Sequence, residues 1–324
     1  MRRRDRRFVW LAAAILAASC SSTQPAPTTS PEASAAATLA GRSWREVASM
    51  PAPRSHLSAV ALNGALFTIG GAARGGASSL DFERYDPSAD MWTSLTALPV
   101  GTDHSAAAAV GSSIFVFGGT FEQPSARTYR IDVPPAGAQS AQFAAMRWRP
   151  IVPLPEPRSA AGAAVVGDRI YVIGGFDSTR RELKTAYVYD PATDAWRKIA
   201  DLPTPRQHLA VTDFQGQVCA LGGYVGNAIP LTIVECYDPA TDRWSTRPSL
   251  PKPASDFAAV SLEGGIWAVG DDVQVFDGTR WWLGPSLGTP RYGVAAAVVG
   301  GSLYVIGGFA RKPAADGIVE RSGP

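Results

Sequence analysis

The stretch "SWREVASMPAPR", residues 43–54, decides the fold together with the strand-like "LFTIGG" of residues 66–71. Trp44 precedes Arg54 by ten residues, and Arg54 precedes Gly70, the first glycine of "LFTIGG", by sixteen. Both spacings occur six times along the chain, so six segments share one backbone geometry. The six anchors are "LFTIGG" at 66–71, "IFVFGG" at 114–119, "IYVIGG" at 170–175, "VCALGG" at 218–223, "IWAVGD" at 266–271 and "LYVIGG" at 303–308. The matching pairs are Trp44 and Arg54, Trp92 and Thr102, Trp148 and Arg158, Trp196 and Arg206, Trp244 and Ala254, and Trp281 and Arg291.

Each repeat unit is predicted to contain four short strands. "AVALNGALFTIGG" at 59–71 is typical of a hairpin, with Asn63-Gly64 at a two-residue turn that needs positive φ. The third strand ends in "RYDP", "VYDP" or "CYDP", where Asp and Pro favour a turn, and the fourth strand carries the tryptophan. Because the first strand is rich in alanine and the fourth carries an indole, we expect wedge-shaped blades, crowded at the axis and splayed at the rim.

These features together identify a known repeat pattern. With a diglycine after an aromatic-aliphatic strand, a Tyr-Asp-Pro turn and a spaced tryptophan, the chain resembles the Kelch-repeat family over residues 43–321. The resemblance implies an all-β fold, a six-bladed β-propeller within residues 42–324. The last unit stops at "GIVER", residues 317–321, without a tryptophan strand. We therefore expect the strand around Trp44 to complete the sixth blade and close the ring.

The N-terminal residues have the pattern of a targeting segment. Residues 1–19 read as a signal peptide, since five arginines precede an apolar run that is shorter than the about 20 residues needed to span a bilayer. "LAASC", residues 16–20, resembles a bacterial lipobox, which implies acylation of Cys20 and a lipid anchor in the cell envelope, facing the periplasm or the exterior. Cleavage by an ordinary signal peptidase, giving a soluble exported protein, is the alternative. Residues 20–41 are rich in Ser, Thr, Pro and Ala and are expected to form a disordered tether.

The charge balance argues against nucleic acid as a partner. The chain has 30 Lys and Arg against 28 Asp and Glu, and residues 1–19 hold five arginines and one aspartate, which leaves 25 against 27. Binding to a phosphate backbone needs a clustered positive surface, and the charges here are mixed. We expect a monomer with no nucleic-acid partner, in contact with the membrane through its lipid.

The hairpin geometry places the start of the first strand and the diglycine end of the second on one face, the mouth of the propeller. We call the repeat position ten residues after each tryptophan the slot. The four slot arginines are predicted to lie at the mouth, and they are Arg54, Arg158, Arg206 and Arg291. Loop residues expected on the same face are Arg74, Glu122, Arg180, Arg181, Asn227, Asp271, Asp272, Arg311 and Lys312. Arginines around a mouth are suited to bidentate pairing with the carboxylate of an acidic sugar or peptide. The alternative is that the slot arginines bond backbone or aspartate within their own blade.

The chain has three histidines, and all of them occupy one repeat position. His56, His104 and His208 each lie two residues after the slot, and Asp256 holds that position in the fifth unit. We assign the four residues to the mouth. Converging imidazoles would bind a metal, but repeat register alone explains their common position, and we expect the side chains to point at neighbouring blades. The sequence therefore predicts neither a metal nor a cofactor.

Cys219 and Cys236 lie in the adjacent second and third strands of the fourth unit. Export permits a disulfide between them. Cys219 also occupies the position that holds tyrosine in the equivalent strand "IYVIGG", which indicates burial as a packing residue. Both interpretations stay open, since strand register decides between them.

Two functions fit the sequence. The first is a membrane-tethered interaction module that binds a protein, peptide or glycan at the mouth. The second is a carbohydrate enzyme similar to the exported sialic-acid mutarotase propellers, for which Glu122 and Asp271 with Arg180 or Arg181 are the candidate acid-base residues. Because no motif marks those residues, we favour the binding module.

Overall fold

The computed structural model describes residues 42–226, 228–310 and 317–323, and it contains six four-stranded antiparallel sheets around one axis. The prediction of an all-β, six-bladed propeller is confirmed. The predicted signal peptide, Cys20 and the tether lie outside the described residues, as do Asn227, Arg311 and Lys312.

The blades are numbered one to six along the chain, and their strands are ordered from the axis to the rim. The first strands are Ser58–Leu62, Ala106–Val110, Gly162–Val166, Ala210–Phe214, Ala258–Leu262 and Ala295–Val299. The second strands are Ala65–Ile69, Ser113–Phe117, Arg169–Ile173, Gln217–Leu221, Gly265–Val269 and Ser302–Ile306. The third strands are Phe82–Asp86, Thr128–Asp132, Ala186–Asp190, Val234–Asp238, Val273–Phe276 and Val319–Gly323. The fourth strands are Met91–Ser94, Arg149–Pro150, Ala195–Lys198, Arg243–Thr246, Trp281–Leu283 and, completing blade six, Ser43–Val47.

Small side chains let the first strands approach one another at the axis. These strands contact each other in cyclic order through all six blades. They enclose an axial cavity of about 260 Å³ on which every blade presents small or β-branched residues. Among its lining residues are Ala59, Ala107, Ala163, Val211, Ala259 and Ala296. The hairpin turn predicted at Asn63-Gly64 is also present, with φ of 52° and 75°.

The two ends of the folded region meet in blade six. Ser43–Val47 pairs antiparallel with Val319–Gly323, and Trp44 lies opposite Ser322. The Trp44 indole Nε1 donates a hydrogen bond to the Pro285 carbonyl, 2.8 Å away, which ties the closing strand to blade five. The ring is therefore closed by strand pairing within one blade, as the missing tryptophan strand of the last unit predicted.

At the rim, a repeated contact joins each blade to the one before it. In blade four, the Asp242 carboxylate accepts hydrogen bonds from the Tyr237 hydroxyl, 2.8 Å, and from the Ala200 amide at the end of blade three, 2.9 Å. The Trp244 indole donates to the Ala200 carbonyl at 2.8 Å. Equivalent sets are Tyr85, Asp90, Ala48 and Trp92, and Tyr189, Asp194, Val152 and Trp196. The tyrosine of the "YDP" motif, the aspartate five residues after it and the tryptophan thus form one rim contact in these blades.

Hydrophobic clusters fill the spaces between neighbouring blades. One cluster joins Leu66 and Tyr85 of blade one to Tyr304 and Ile306 of blade six. Another joins Ile173 of blade three to blade four. Because the second strands are covered on both faces, their side chains are mostly apolar without strict alternation.

Shorter elements decorate this scaffold. The α-helix Ser140–Ala144 lies between the third and fourth strands of blade two, and Met146, which follows it, is buried between blades one and two. Two-residue strands pair Arg54–Ser55 with Ala72–Ala73, Tyr224–Val225 with Ile229–Pro230, and Arg291–Tyr292 with Phe309–Ala310. Within residues 42–226, 228–310 and 317–323, no helix has the length and apolar character needed to cross a membrane.

Register settles the question of the two cysteines. Cys219 lies directly opposite Cys236 in the pairing of the second and third strands of blade four. Their sulfur atoms form a disulfide, and both residues are buried.

Candidate binding site at the propeller mouth

One residue from each blade forms a closed ring of backbone hydrogen bonds around the axis. The six residues, which we call the hub ring, are His56, His104, Ala160, His208, Asp256 and Gly293. Each amide donates to the carbonyl of the preceding member, and the His56 amide closes the cycle by donating to the Gly293 carbonyl, with N–O distances of 2.6–3.1 Å. All six have left-handed backbones, with φ of 48–66°. The ring therefore holds six side-chain positions at the centre of the mouth.

The diglycines allow the next blade to approach closely. The Gly71 amide donates to the Thr102 carbonyl of the following blade at 2.8 Å, and the same pattern recurs at Gly119, Gly175, Gly223 and Gly308. A Cβ on Gly70 would lie only 2.4 Å from that Thr102 carbonyl oxygen. Glycine is thus required where one blade contacts the carbonyl of the next.

The slot arginines are buried inside their blades, each at most 1% exposed. Arg206 Nε donates to the Gly222 carbonyl at 2.8 Å, and Arg206 Nη1 pairs with the buried Glu235 carboxylate at 2.5 Å. The sixteen-residue spacing is therefore the distance along the chain between an arginine and the carbonyl that it binds. The equivalent carbonyl contacts link Arg54 to Gly70, Arg158 to Gly174, and Arg291 to Gly307.

Glutamates balance the other three slot arginines, and two of these glutamates are buried. Arg54 pairs with Glu83 at 2.6 Å, and Arg291 pairs with Glu320. In blade three, Tyr187 replaces the glutamate, and Arg158 pairs instead with Glu156 at 2.7 Å. The slot arginines therefore bond backbone and carboxylate groups within their own blades, which was the alternative to a position at the mouth. The main carboxylate partner is a glutamate, whereas an aspartate was expected.

The three imidazoles converge on the axis, which differs from the expectation that they would point at neighbouring blades. The rings of His56 and His104 stack with centroids 4.0 Å apart, and the ring of His208 lies 5.1 Å from that of His104. His56 Nε2 lies 3.2 Å from Asp256 Oδ1, and His208 Nε2 lies 3.5 Å from the same atom. Asp256 thus bridges two of the imidazoles.

Burial keeps two of the imidazoles neutral. It lowers the pKa of His208 to about 3, although the charge of Asp256 opposes the shift. Burial also lowers the pKa of His104, against the opposing hydrogen bond to Asp103. Burial acts to raise the pKa of Asp256, but the His56 hydrogen bond and the neighbouring imidazoles lower it overall. The centre of the mouth therefore combines neutral imidazoles with an ionised carboxylate near neutral pH.

Aromatic side chains surround the hub ring. This aromatic collar consists of Phe121, Phe176, Tyr224, Tyr292 and Phe309. Tyr224 stacks on His208 with centroids 4.7 Å apart, Phe121 lies 4.9 Å from His104, and Phe309 lies 5.9 Å from His56. The collar gives the mouth an apolar wall around a polar centre.

Among the predicted loop residues, Arg180 lies over the collar. Its guanidinium lies 4.2 Å from the centroid of Phe121 and 4.9 Å from that of Phe176. Arg180 Nη2 also lies 3.5 Å from the Glu122 carboxylate. Arg181 instead pairs with Asp177 and is exposed, and Arg74 is exposed in the loop after Ala72–Ala73.

The predicted acidic residues of blade five form a separate part of the mouth. Asp271 and Asp272 line a cavity of about 310 Å³ together with Asp256 and Tyr292. Lys252 Nζ pairs with Asp272 at 2.7 Å. The structure thus brings Glu122 together with Arg180, while Asp271 belongs to the blade-five cavity.

Sequence reasoning missed the aromatic collar and Asp103, which binds His104 Nδ1 at 2.6 Å. A signal for the collar was present, because Phe176, Tyr224 and Phe309 each directly follow a diglycine. Asp103 had no such signal, since the residue before the hub position is serine in three units and Asp, Gln or Tyr in the other three.

Comparison with known proteins agrees with this architecture. Residues 97–278 match the model of the KLHDC2/KLHL20/DRC7 Kelch-repeats domain, and residues 53–99 and 290–319 match models of the Kelch motif. The chain belongs to the Kelch-repeat family. Among solved structures, this Kelch propeller is similar to YjhT, with a TM-score of 0.71 and 15% identity over 85% of this chain and 95% of that one. Identity this low supports a common fold only, and none of the curated proteins matches the chain.

The buried slot arginines of this Kelch propeller are expected to act in stability. Arg206→Ala leaves Glu235 buried without its cation, so we predict a loss of about 3–5 kcal/mol in the free energy of unfolding, measured by urea denaturation. Arg181→Ala, on a side chain that is 76% exposed, is the control and should change it by less than about 0.5 kcal/mol. Wild-type stability of Arg206→Ala would contradict the buried pairing.

Proposed function

We propose that this chain is an exported, membrane-tethered binding module that binds a peptide, protein or glycan at the propeller mouth. The observation that carries the proposal is the concave centre of the mouth, where three imidazoles and Asp256 lie inside the aromatic collar. An apolar wall around a few convergent polar groups is the usual composition of a ligand site.

The slot arginines belong to the scaffold, and a different arginine is available to a ligand at the mouth. The slot arginines are occupied inside the blades, so they offer the ligand no exposed donors. Arg180 takes over as the cation at the mouth, with its side chain 43% exposed and its guanidinium stacked on the collar. A cation held over aromatic faces favours a ligand that carries a carboxylate beside an apolar or sugar surface.

The cavity of blade five extends the site to one side. Its volume of about 310 Å³ lies at the lower end of the range for small-ligand pockets, roughly 300–1,000 Å³. It would accommodate one side chain or one sugar ring of a longer ligand. The shared residue Asp256 connects this cavity to the hub ring.

Export and anchoring are part of the proposal, supported by the arginine-rich apolar segment and by the lipobox-like residues that end at Cys20. Mass spectrometry of the mature protein tests them. We expect an N-terminus at Cys20 that carries a lipid-sized mass. An unmodified N-terminus downstream of Cys20 would contradict the anchor.

Binding at the mouth is tested with an array of acidic and neutral glycans and a library of acidic peptides. For each ligand found, Arg180→Glu should weaken binding at least tenfold, because it removes the cation above Phe121. Arg197→Glu, on the fourth strand of blade three at the rim, makes the same charge change and should leave binding unaltered. Binding that survives Arg180→Glu but is lost in Arg197→Glu would contradict the mouth as the site.

A sugar mutarotase or isomerase is the second candidate, favoured by the contact between Glu122 and Arg180 at the mouth. The carboxylate would transfer the proton while the guanidinium binds the substrate acid. We predict that the purified protein does not accelerate anomer exchange of N-acetylneuraminate, followed by NMR. Acceleration that is lost in Glu122→Gln would replace the binding module with the enzyme.

A further inference from the structure

The histidine cluster at the axis has a geometry that ligand binding alone does not explain. His56, His104 and His208 are all the histidines of the chain. One ring nitrogen of each can be chosen so that the three atoms lie within 4.8 Å of one another. The closed hub ring fixes their backbones, so this convergence belongs to the fold.

The distances among these groups approach those of a metal site. Neighbouring ligands of a tetrahedral ion with bonds of 2.0–2.1 Å are about 3.3 Å apart. Asp256 Oδ1 already lies 3.2 Å from His56 Nε2 and 3.5 Å from His208 Nε2. The three imidazole nitrogens all lie within 4.8 Å of one another, and a bound ion would draw them closer.

The partners of His104 and His208 leave nitrogen lone pairs available. His56 Nε2 faces Asp256 Oδ1 at 3.2 Å and His56 Nδ1 faces Ser55 Oγ at 3.1 Å, so an ion would replace one of these contacts. His104 Nδ1 lies 2.6 Å from the Asp103 carboxylate, and a proton on that nitrogen leaves Nε2 as a lone pair. A carboxylate behind an imidazole is the usual outer partner of a metal-binding histidine. His208 Nδ1 is buried without a hydrogen-bond partner, and buried polar atoms in that state are uncommon.

Charge and solvation also suit a cation. Asp256 and Asp103 provide the negative charge that a divalent ion needs. Phe121, Phe176 and Tyr224 shield the cluster from bulk water on the side of His208.

We propose that His56, His104 and His208 bind one divalent transition-metal ion that prefers imidazole ligands, Zn²⁺ or Cu²⁺, with Asp256 as the neighbouring carboxylate. The three histidines and Asp256 line a recess of about 80 Å³, which gives the ion a path from the mouth. This site goes beyond the proposed binding function and does not depend on it.

The test uses protein purified without a histidine tag and treated with EDTA. Calorimetric titration with ZnCl₂ or CuCl₂ should give one ion per chain, and MgCl₂ should give no binding. Comparison of the zinc and copper titrations identifies the preferred ion. Each of His56→Ala, His104→Ala and His208→Ala should weaken binding at least tenfold. Ala160→Gly changes the same ring position in blade three and should bind like the wild type, since Ala160 and Gly293 show that the ring accepts small residues.

Wild-type NMR provides a test that does not require any variant to fold. With three histidines in the chain, addition of Zn²⁺ should shift the imidazole nitrogen signals of all three. Zn²⁺ and Cu²⁺ binding no stronger than that of Mg²⁺ would overturn the proposal. Unchanged imidazole signals, or stoichiometric binding that survives all three alanine substitutions, would also overturn it.

Discussion

The hub ring of backbone hydrogen bonds is the constraint on which the rest of the structure depends. Each blade gives one amide and one carbonyl at the same position, so the cycle closes only when six blades stand at equal height around the axis. The left-handed backbone at each member turns the side chain toward the centre of the mouth. Imidazoles from blades one, two and four therefore meet, although His56 and His208 are 152 positions apart in sequence (208 minus 56).

Two further layers repeat this linkage farther from the axis. Buried arginines bind the diglycine carbonyls within a blade, and the adjoining glycine amide reaches the next blade. At the rim, a tryptophan connects each blade to the end of the preceding one, and a tyrosine and an aspartate add to this contact in blades one, three and four. Residues that recur in these layers form the scaffold. The hub positions and collar vary in type from blade to blade, and this variation allows them to form one asymmetric site.

Sequence reasoning predicted the architecture because the fold repeats. Constant spacings reflect constant contacts, such as the sixteen residues between Arg206 and Gly222, and the missing last strand indicated the role of Trp44. The site was harder to predict. The repeat pattern places each histidine just before the first strand of its blade. It does not reveal the positive φ that directs the imidazole toward the axis. It also does not distinguish an arginine at the mouth from one that pairs with a buried glutamate such as Glu235.

Amide hydrogen exchange measures the hub ring most directly. If six closed hydrogen bonds hold the blades together, the amides of the hub ring should exchange only on global unfolding, as slowly as those of the buried strand Ala65–Ile69. Exchange of the hub amides at the rate of an exposed turn, such as Gly75-Gly76, would contradict the closed ring and the convergence of the three imidazoles that it produces.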